Sequence, residues 1–248
     1  PIEAWRIVRS SRRVAEGTRN VDGPGVSHHV VDAAAGVTIY RGDALGGDAY
    51  GQAFGGDGQN NLIHRRRLVP RGVTFTSERV DTDGEVVRST DNWFRPVNFV
   101  NAPDGTLYVL DMSREILEAI HIPLDVVAHL DLTRGRDQGR IYRIAPAGFE
   151  NPHPRPQLST ATTAELVAAL EHPAAWWRDT AHRLLFERQD PAAVAPLQKL
   201  LRDDEAAPVA RLLALWSLAG QSALSDEDVI AALGDSAPQI REHAVRLA

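Results

Sequence analysis

The chain has 248 residues, of which 43% are hydrophobic and 24% charged, and its formal net charge is −6. That length allows one large domain or two ordinary ones, each with its own core. The mild acidity argues against a nucleic-acid binder, and no apolar run reaches the roughly 18 residues of a membrane span. Cysteine is absent, which excludes disulfides, thiolate zinc sites, a cysteine nucleophile and a covalent CxxCH haem site within these residues.

Short apolar bursts separated by Gly, Asn and Asp fill the first part of the chain. They predict strands over Gly36–Tyr40, Gly51–Gly55, Asn61–Leu68, Val73–Arg79, Glu85–Ser89, Val97–Asn101, Gly105–Asp111 and Gly139–Ile144. Several alternate apolar and polar residues, as half-buried strands do. Asp83-Gly84 and Pro103-Asp104-Gly105 are turn signals between them. The phrase Ala102-Pro-Asp-Gly-Thr-Leu-Tyr-Val-Leu-Asp111 has the form of a strand in a β-propeller blade. A helical insertion is expected over Ser113–Leu130.

Composition changes near residue 150. Gly148–Gln157, with three prolines, reads as a linker. Beyond it, alanine and leucine at helical spacing predict helices over 162–171, 174–188, 191–202, 206–219, 226–233 and 236–247. Arg178, Arg211 and Arg241, each followed three residues later by Ala, recur at intervals of 33 and 30 residues. A helix pair cannot bury its apolar face alone, so stacked HEAT-like pairs are the natural solution. Val245 and Leu247 are still apolar at the end of the last pair, so the array is expected to continue. The expected architecture is multi-domain β plus α. A partial β-propeller of about three blades spans 1–147, a linker spans 148–158, and a HEAT-like α-solenoid spans 159–248.

Three stretches carry a resemblance: Gly36-Val-Thr-Ile-Tyr-Arg-Gly-Asp43, Asp91-Asn-Trp-Phe-Arg-Pro-Val97 and Asp131-Leu-Thr-Arg-Gly-Arg-Asp-Gln-Gly-Arg-Ile-Tyr-Arg-Ile144. With Asn61–Arg65 and Pro103–Asp111 between them, the chain resembles a membrane-bound dehydrogenase family of large bacterial exported proteins, also labelled PVC-type haem-binding proteins. The resemblance covers about residues 5–146. It implies a propeller similar to glucose/sorbosone-type quinoprotein dehydrogenases, then HEAT-like repeats, with a haem c domain further on. It also implies a periplasmic or exported location, although no signal peptide pattern is present. Such a propeller has about six blades of some 40–50 residues, and a half-ring leaves open sheet edges. Together with a first residue, Pro1, that is not methionine, this leads us to expect a fragment. Asp111-Met112 is followed by Ser113, and Glu118 by Ala119-Ile120-His121. Both depart from the family pattern.

On this reading Arg95 sits at the mouth of the propeller channel, facing an anionic cofactor or substrate, with Trp93 as a stacking platform. A guanidinium binds carboxylates bidentately, and pyrroloquinoline quinone is a polycarboxylate. The alternative is that Trp93 and Phe94 fill a gap between blades while Arg95 pairs with Asp91. Arg41 and Asp43, at a strand end, either line the same channel or form a local ion pair. Asp111 and Arg114 close another strand and carry the same two alternatives. His28, His29, His64 and His121 are candidates for the base that the quinoprotein resemblance implies, or else solvated or satisfied residues. For His64, the run Arg65–Arg67 would keep a proton off the ring. Asp81-Thr-Asp83-Gly84-Glu85 is the densest acidic stretch and lacks the full calcium-loop pattern. Trp176, Trp177, Trp216 and Phe186 are expected to pack in helix cores.

The sequence thus leads to a fragment of an exported quinoprotein-like sugar or alcohol dehydrogenase, passing electrons to a haem outside this chain. Pyrroloquinoline quinone and calcium are expected only as cofactors of the parent protein, and the fragment alone is expected to be inactive. The alternative is a non-catalytic propeller and solenoid scaffold, binding a sugar or polysaccharide, or a protein partner through its helical repeats.

Overall fold

A computed structural model describes residues 33–117, 124–152 and 156–248. It shows a mixed β and α fold. Among the described residues, eight strands occur in the order β1 (Ala34–Ile39), β2 (Ala53–Asp57), β3 (Leu62–Arg71), β4 (Thr74–Arg79), β5 (Val87–Arg88), β6 (Pro96–Asn101), β7 (Leu107–Asp111) and β8 (Arg140–Ile144). Strands β1 to β4 form an antiparallel meander, and β5 pairs with the start of β3. A second sheet has the order β6-β7-β8.

Each expected strand is present, with bounds moved by local chemistry. Alternation places Leu107, Val109 and Asp111 of β7 inward, as the two-residue period of a pleated strand demands. The β2–β3 turn closes because Asp57 Oδ1 accepts from the backbone N–H of Gln59 and Asn60, at 3.1 and 3.0 Å, and Asn61 adopts φ 58°. β5 shrinks to two residues because Gly84 and Glu85 are engaged by Arg79. Within this unit the two sheets meet backbone to backbone. A Cβ at Gly56 would stand 2.4 Å from the Pro96 carbonyl oxygen, so only glycine fits.

The helical insertion expected over Ser113–Leu130 is shorter than predicted. Ser113 has φ 51°, and the carbonyls of Arg114 and Glu115 accept from Arg95, so this segment cannot spend them on a helix ladder. The helix α1 covers only Leu124–Val127. Residues 118–123 lie outside the described residues, and so does the candidate His121.

The remaining helices are α2 (Thr163–Ala168), α3 (Ala175–Arg188), α4 (Val194–Leu201), α5 (Pro208–Gly220), α6 (Asp226–Leu233) and α7 (Pro238–Leu247), with single 3-10 turns at Ala169–Glu171 and Pro191–Ala193. Five begin one to three residues later than predicted, and two of these starts fall on proline, at Pro208 and Pro238. Proline lacks an N–H and fits the first turn, where none is needed. Each helix packs on its sequence neighbour (α2–α3, α4–α5, α6–α7) and on the next but one (α3–α5, α5–α7, α4–α6). Ala181, Ala214 and Ala244, the small residues of the arginine motif, are fully buried among Leu185, Leu197, Leu215, Leu218 and Ile240. No helix among the described residues is long and apolar enough to cross a membrane.

The chain forms two compact units. The described part of the first comprises residues 33–40, 46–100, 107–117 and 124–146. The second comprises helices α2 to α7 together with two short segments, Arg41–Leu45 and Asn101–Thr106. The Gly148–Gln157 stretch has neither helix nor strand in its described residues.

Candidate functional site

Five of the predicted site residues come together in the first unit, where three chain segments converge on Arg95. Its side chain is completely buried. The guanidinium donates from Nη1 to the Gly58 carbonyl (2.7 Å), from Nε to the Arg114 carbonyl (2.8 Å) and from Nη2 to the Glu115 carbonyl (2.6 Å). The Arg95 backbone N–H donates to Asp111 Oδ1 at 2.7 Å, which also accepts from the Ser113 N–H at 2.8 Å. Arg95 therefore ties the β2–β3 turn, its own loop and the segment after β7 into one knot. This corrects the expectation that it faces a channel.

Asp111 Oδ2 accepts from Arg140 Nε at 3.0 Å, and Arg140 Nη2 reaches Asp91 Oδ2 at 3.1 Å. The cation paired with the Asp91 carboxylate is thus Arg140, where the alternative reading had Arg95. The Trp93 N–H, donating to Asp91 Oδ1 at 2.9 Å, outweighs burial and, with Arg140, holds the Asp91 carboxyl below its usual range. Trp93 is no open platform: the Arg134 guanidinium lies over its ring, 5.3 Å from the centroid, and Arg134 pairs with Glu115 at 3.0 Å. Phe94 is buried edge-on against Tyr142. Arg114 donates to the Thr133 carbonyl at 2.8 Å. Arg140 and Arg134 did not emerge as site residues from spacing alone. Arg140 was detectable in principle, because Asp111 and Arg140 are directly opposed across β7 and β8 and opposite charges favour that position.

His64 stands apart on β3. Its Nδ1 lies 2.7 Å from Glu85 Oε2, and both side chains are 13% exposed. Arg66 Nη1 lies 3.2 Å from Nε2. Arginine can only donate, so Nε2 accepts and the proton sits on Nδ1, donated to Glu85. The acidic turn beside it is filled by a side-chain cation. Arg79 donates to the carbonyls of Asp81 and Gly84, both at 2.7 Å, and pairs with Glu85, while Arg65 grips Asp81.

Arg41 and Asp43 belong to the second unit. The Arg41 guanidinium holds both oxygens of Asp179 on α3 at 2.9 Å, and the Arg41 backbone N–H donates to Asn101 Oδ1 at 2.7 Å. Asp43 packs on Gly105, where a Cβ would meet its Oδ1 at 1.9 Å. A cleft of about 290 Å³ is bounded by Arg41, Trp176, Asp179 and Arg183.

These residues do not fit the groups that the resemblance implies. The arginine expected to receive a quinone carboxylate already donates to backbone carbonyls. The oxygens of the acidic stretch Asp81–Glu85, which lacks a full calcium-loop pattern, are held by arginines and a histidine. Among the described residues no group of three or more His, Asp and Glu is placed to hold a metal ion. His28 and His29 lie outside the described residues.

Fold and site together define a β-then-α chain whose loop cluster around Arg95 is braced from within. Residues 3–148 match the family model described as a domain of unknown function (DUF7133), more than half of the chain, and the protein belongs to that family. No curated protein and no solved structure matches it.

Proposed function

We propose that the chain is a non-catalytic binding scaffold, a partial β-propeller followed by a HEAT-like solenoid, within a larger exported protein of the quinoprotein-like dehydrogenase type. One observation carries the scaffold reading. Arg95, the residue best suited to receive an anionic cofactor, is fully buried and bonded to the carbonyls of Gly58, Arg114 and Glu115. A buried guanidinium held in this way locks loops together and offers no donor to a ligand. The antiparallel meander of β1 to β4 agrees with a propeller blade, and the helix-on-helix packing agrees with a repeat array. The order of motifs along the chain supports the dehydrogenase-type parent and its export. The partners on this reading are a sugar or polysaccharide, or a protein bound through the helical repeats.

The His64–Glu85 hydrogen bond favours a second reading, in which the chain itself contributes a base to sugar oxidation. A carboxylate-oriented histidine is a suitable general base, but Arg66 covers its second nitrogen. The test is dye-linked oxidation of sugars by the full chain, with and without pyrroloquinoline quinone and calcium, alongside affinity electrophoresis in gels containing soluble polysaccharides. The scaffold reading expects no turnover under either condition and retarded migration in at least one gel. Turnover that disappears in His64→Ala would overturn it.

A further inference from the structure

The helical unit repeats one side-chain arrangement three times. In the turns before α3, α5 and α7, a side chain accepts the backbone N–H two residues on. His172 Nδ1 accepts from Ala174 (3.0 Å), Asp203 from Glu205 (3.1 Å) and Asp235 from Ala237 (2.7 Å). An arginine stands in the first turn of each following helix. Arg178 and Arg241 both place Nη1 on the carbonyls six and five residues back, those of His172 and Pro173, and of Asp235 and Ser236. Arg211 shows what links one pair to the next. Its Nη1 holds Asp204 of its own turn at 3.1 Å, and its Nη2 holds Asp235 of the next turn at 3.2 Å.

Arg178 and Arg211 are buried, at 3% and 2% exposure, whereas Arg241 is exposed. Among the described residues, Nε and Nη2 of Arg241 have no hydrogen-bond partner. The same helix pair exposes Ile230 (68%), Leu233 (40%) and Val245 (67%). What Arg211 has and Arg241 lacks is a carboxylate from a following turn.

We infer that the exposed face of α6 and α7 docks a further helix pair of the same kind, whose inter-helix turn sets a carboxylate on Arg241 and whose apolar side chains cover Ile230, Leu233 and Val245. This rests on the binding-scaffold reading and names its contact surface. The cross-pair bond of Arg211 and Asp235 is the pattern for the contact, and the apolar residues supply the area that stacked pairs need.

The test appends a second copy of residues 219–248 to the full chain, which keeps helix register because Arg211 and Arg241 are 30 residues apart. The extended chain is expected to unfold in one cooperative urea transition at a higher midpoint. Replacing the added turn's aspartate by alanine, or Arg241→Ala, should each remove most of the gain. The two should couple by about tenfold in the unfolding constant. In the unextended chain Arg241→Ala should be nearly silent. An appended pair that unfolds separately, or a gain indifferent to Arg241, overturns the inference. So does a dimer of the unextended chain that Ile230→Arg abolishes, which would give the face to a second copy. Sugar turnover would end the scaffold reading without moving any of these readouts.

Discussion

Arg95→Met separates a loop-bracing arginine from a ligand-binding one. The substitution keeps the aliphatic stem and removes the guanidinium, leaving the carbonyls of Gly58, Arg114 and Glu115 without their donor. Each hydrogen bond to a charged donor contributes about 1.5–3 kcal/mol, and each stranded buried carbonyl costs about 1–3 kcal/mol. These effects overlap, because the freed loops relax and admit water, so the loss expected is about 4 kcal/mol, at the extreme of single substitutions. Arg95→Lys, with one ammonium for three diverging acceptors, should lose about half of that. Urea unfolding followed by tryptophan fluorescence is a suitable readout, since the Trp93 carbonyl accepts from the Arg114 N–H at 3.1 Å and Trp93 lies in the same knot. A channel-facing arginine predicts the opposite pattern. Its removal would be near-neutral for stability, so an Arg95→Met chain within about 1 kcal/mol of wild type would refute the reasoning.

Gly56→Ala should destabilise by more than about 2 kcal/mol, because its Cβ would stand 2.4 Å from the Pro96 carbonyl oxygen and strands must shift to admit it; a chemical-denaturation midpoint equal to wild type would show that the sheets are not in backbone contact there. Asp228 is buried. Burial alone would raise its pKa, but hydrogen bonds from Gln198 and Ser225, with Arg202, hold it below its ordinary value of 3.8. The stability it contributes is therefore present above pH 3.8 and lost as pH falls through the lower folded value. Asp228→Asn should flatten that acid limb and cost about 2 kcal/mol at neutral pH, as read from unfolding curves across pH. For His182, burial lowers the pKa from 6.5 against the opposing pull of Asp179. The unfolded chain takes up the proton first, so stability should fall as pH drops below 6.5 and level off beneath the folded value. In His182→Leu that slope should vanish, and its persistence would assign it to another group.

Much of the fold was legible because its causes are local. Strand alternation, Asp-Gly turns and apolar helical spacing depend on neighbours a few residues away, so the eight strands and the helices beyond residue 160 could be placed from spacing. Proline chemistry then moved two helix starts to Pro208 and Pro238. The arginine period of 33 and 30 residues was also visible, and burial of Ala181, Ala214 and Ala244 gives it a packing meaning. The candidate site was legible only as a set of residue types. Asp91, Trp93, Arg95, Asp111 and Arg114 do gather, but what each arginine holds was decided at long range. Arg95 bonds a carbonyl 37 residues away and Arg41 a carboxylate 138 residues away. A guanidinium serves a ligand carboxylate and a backbone carbonyl with the same donors, and only the tertiary structure, by burying Arg95 where three loops meet, determined which of the two it holds.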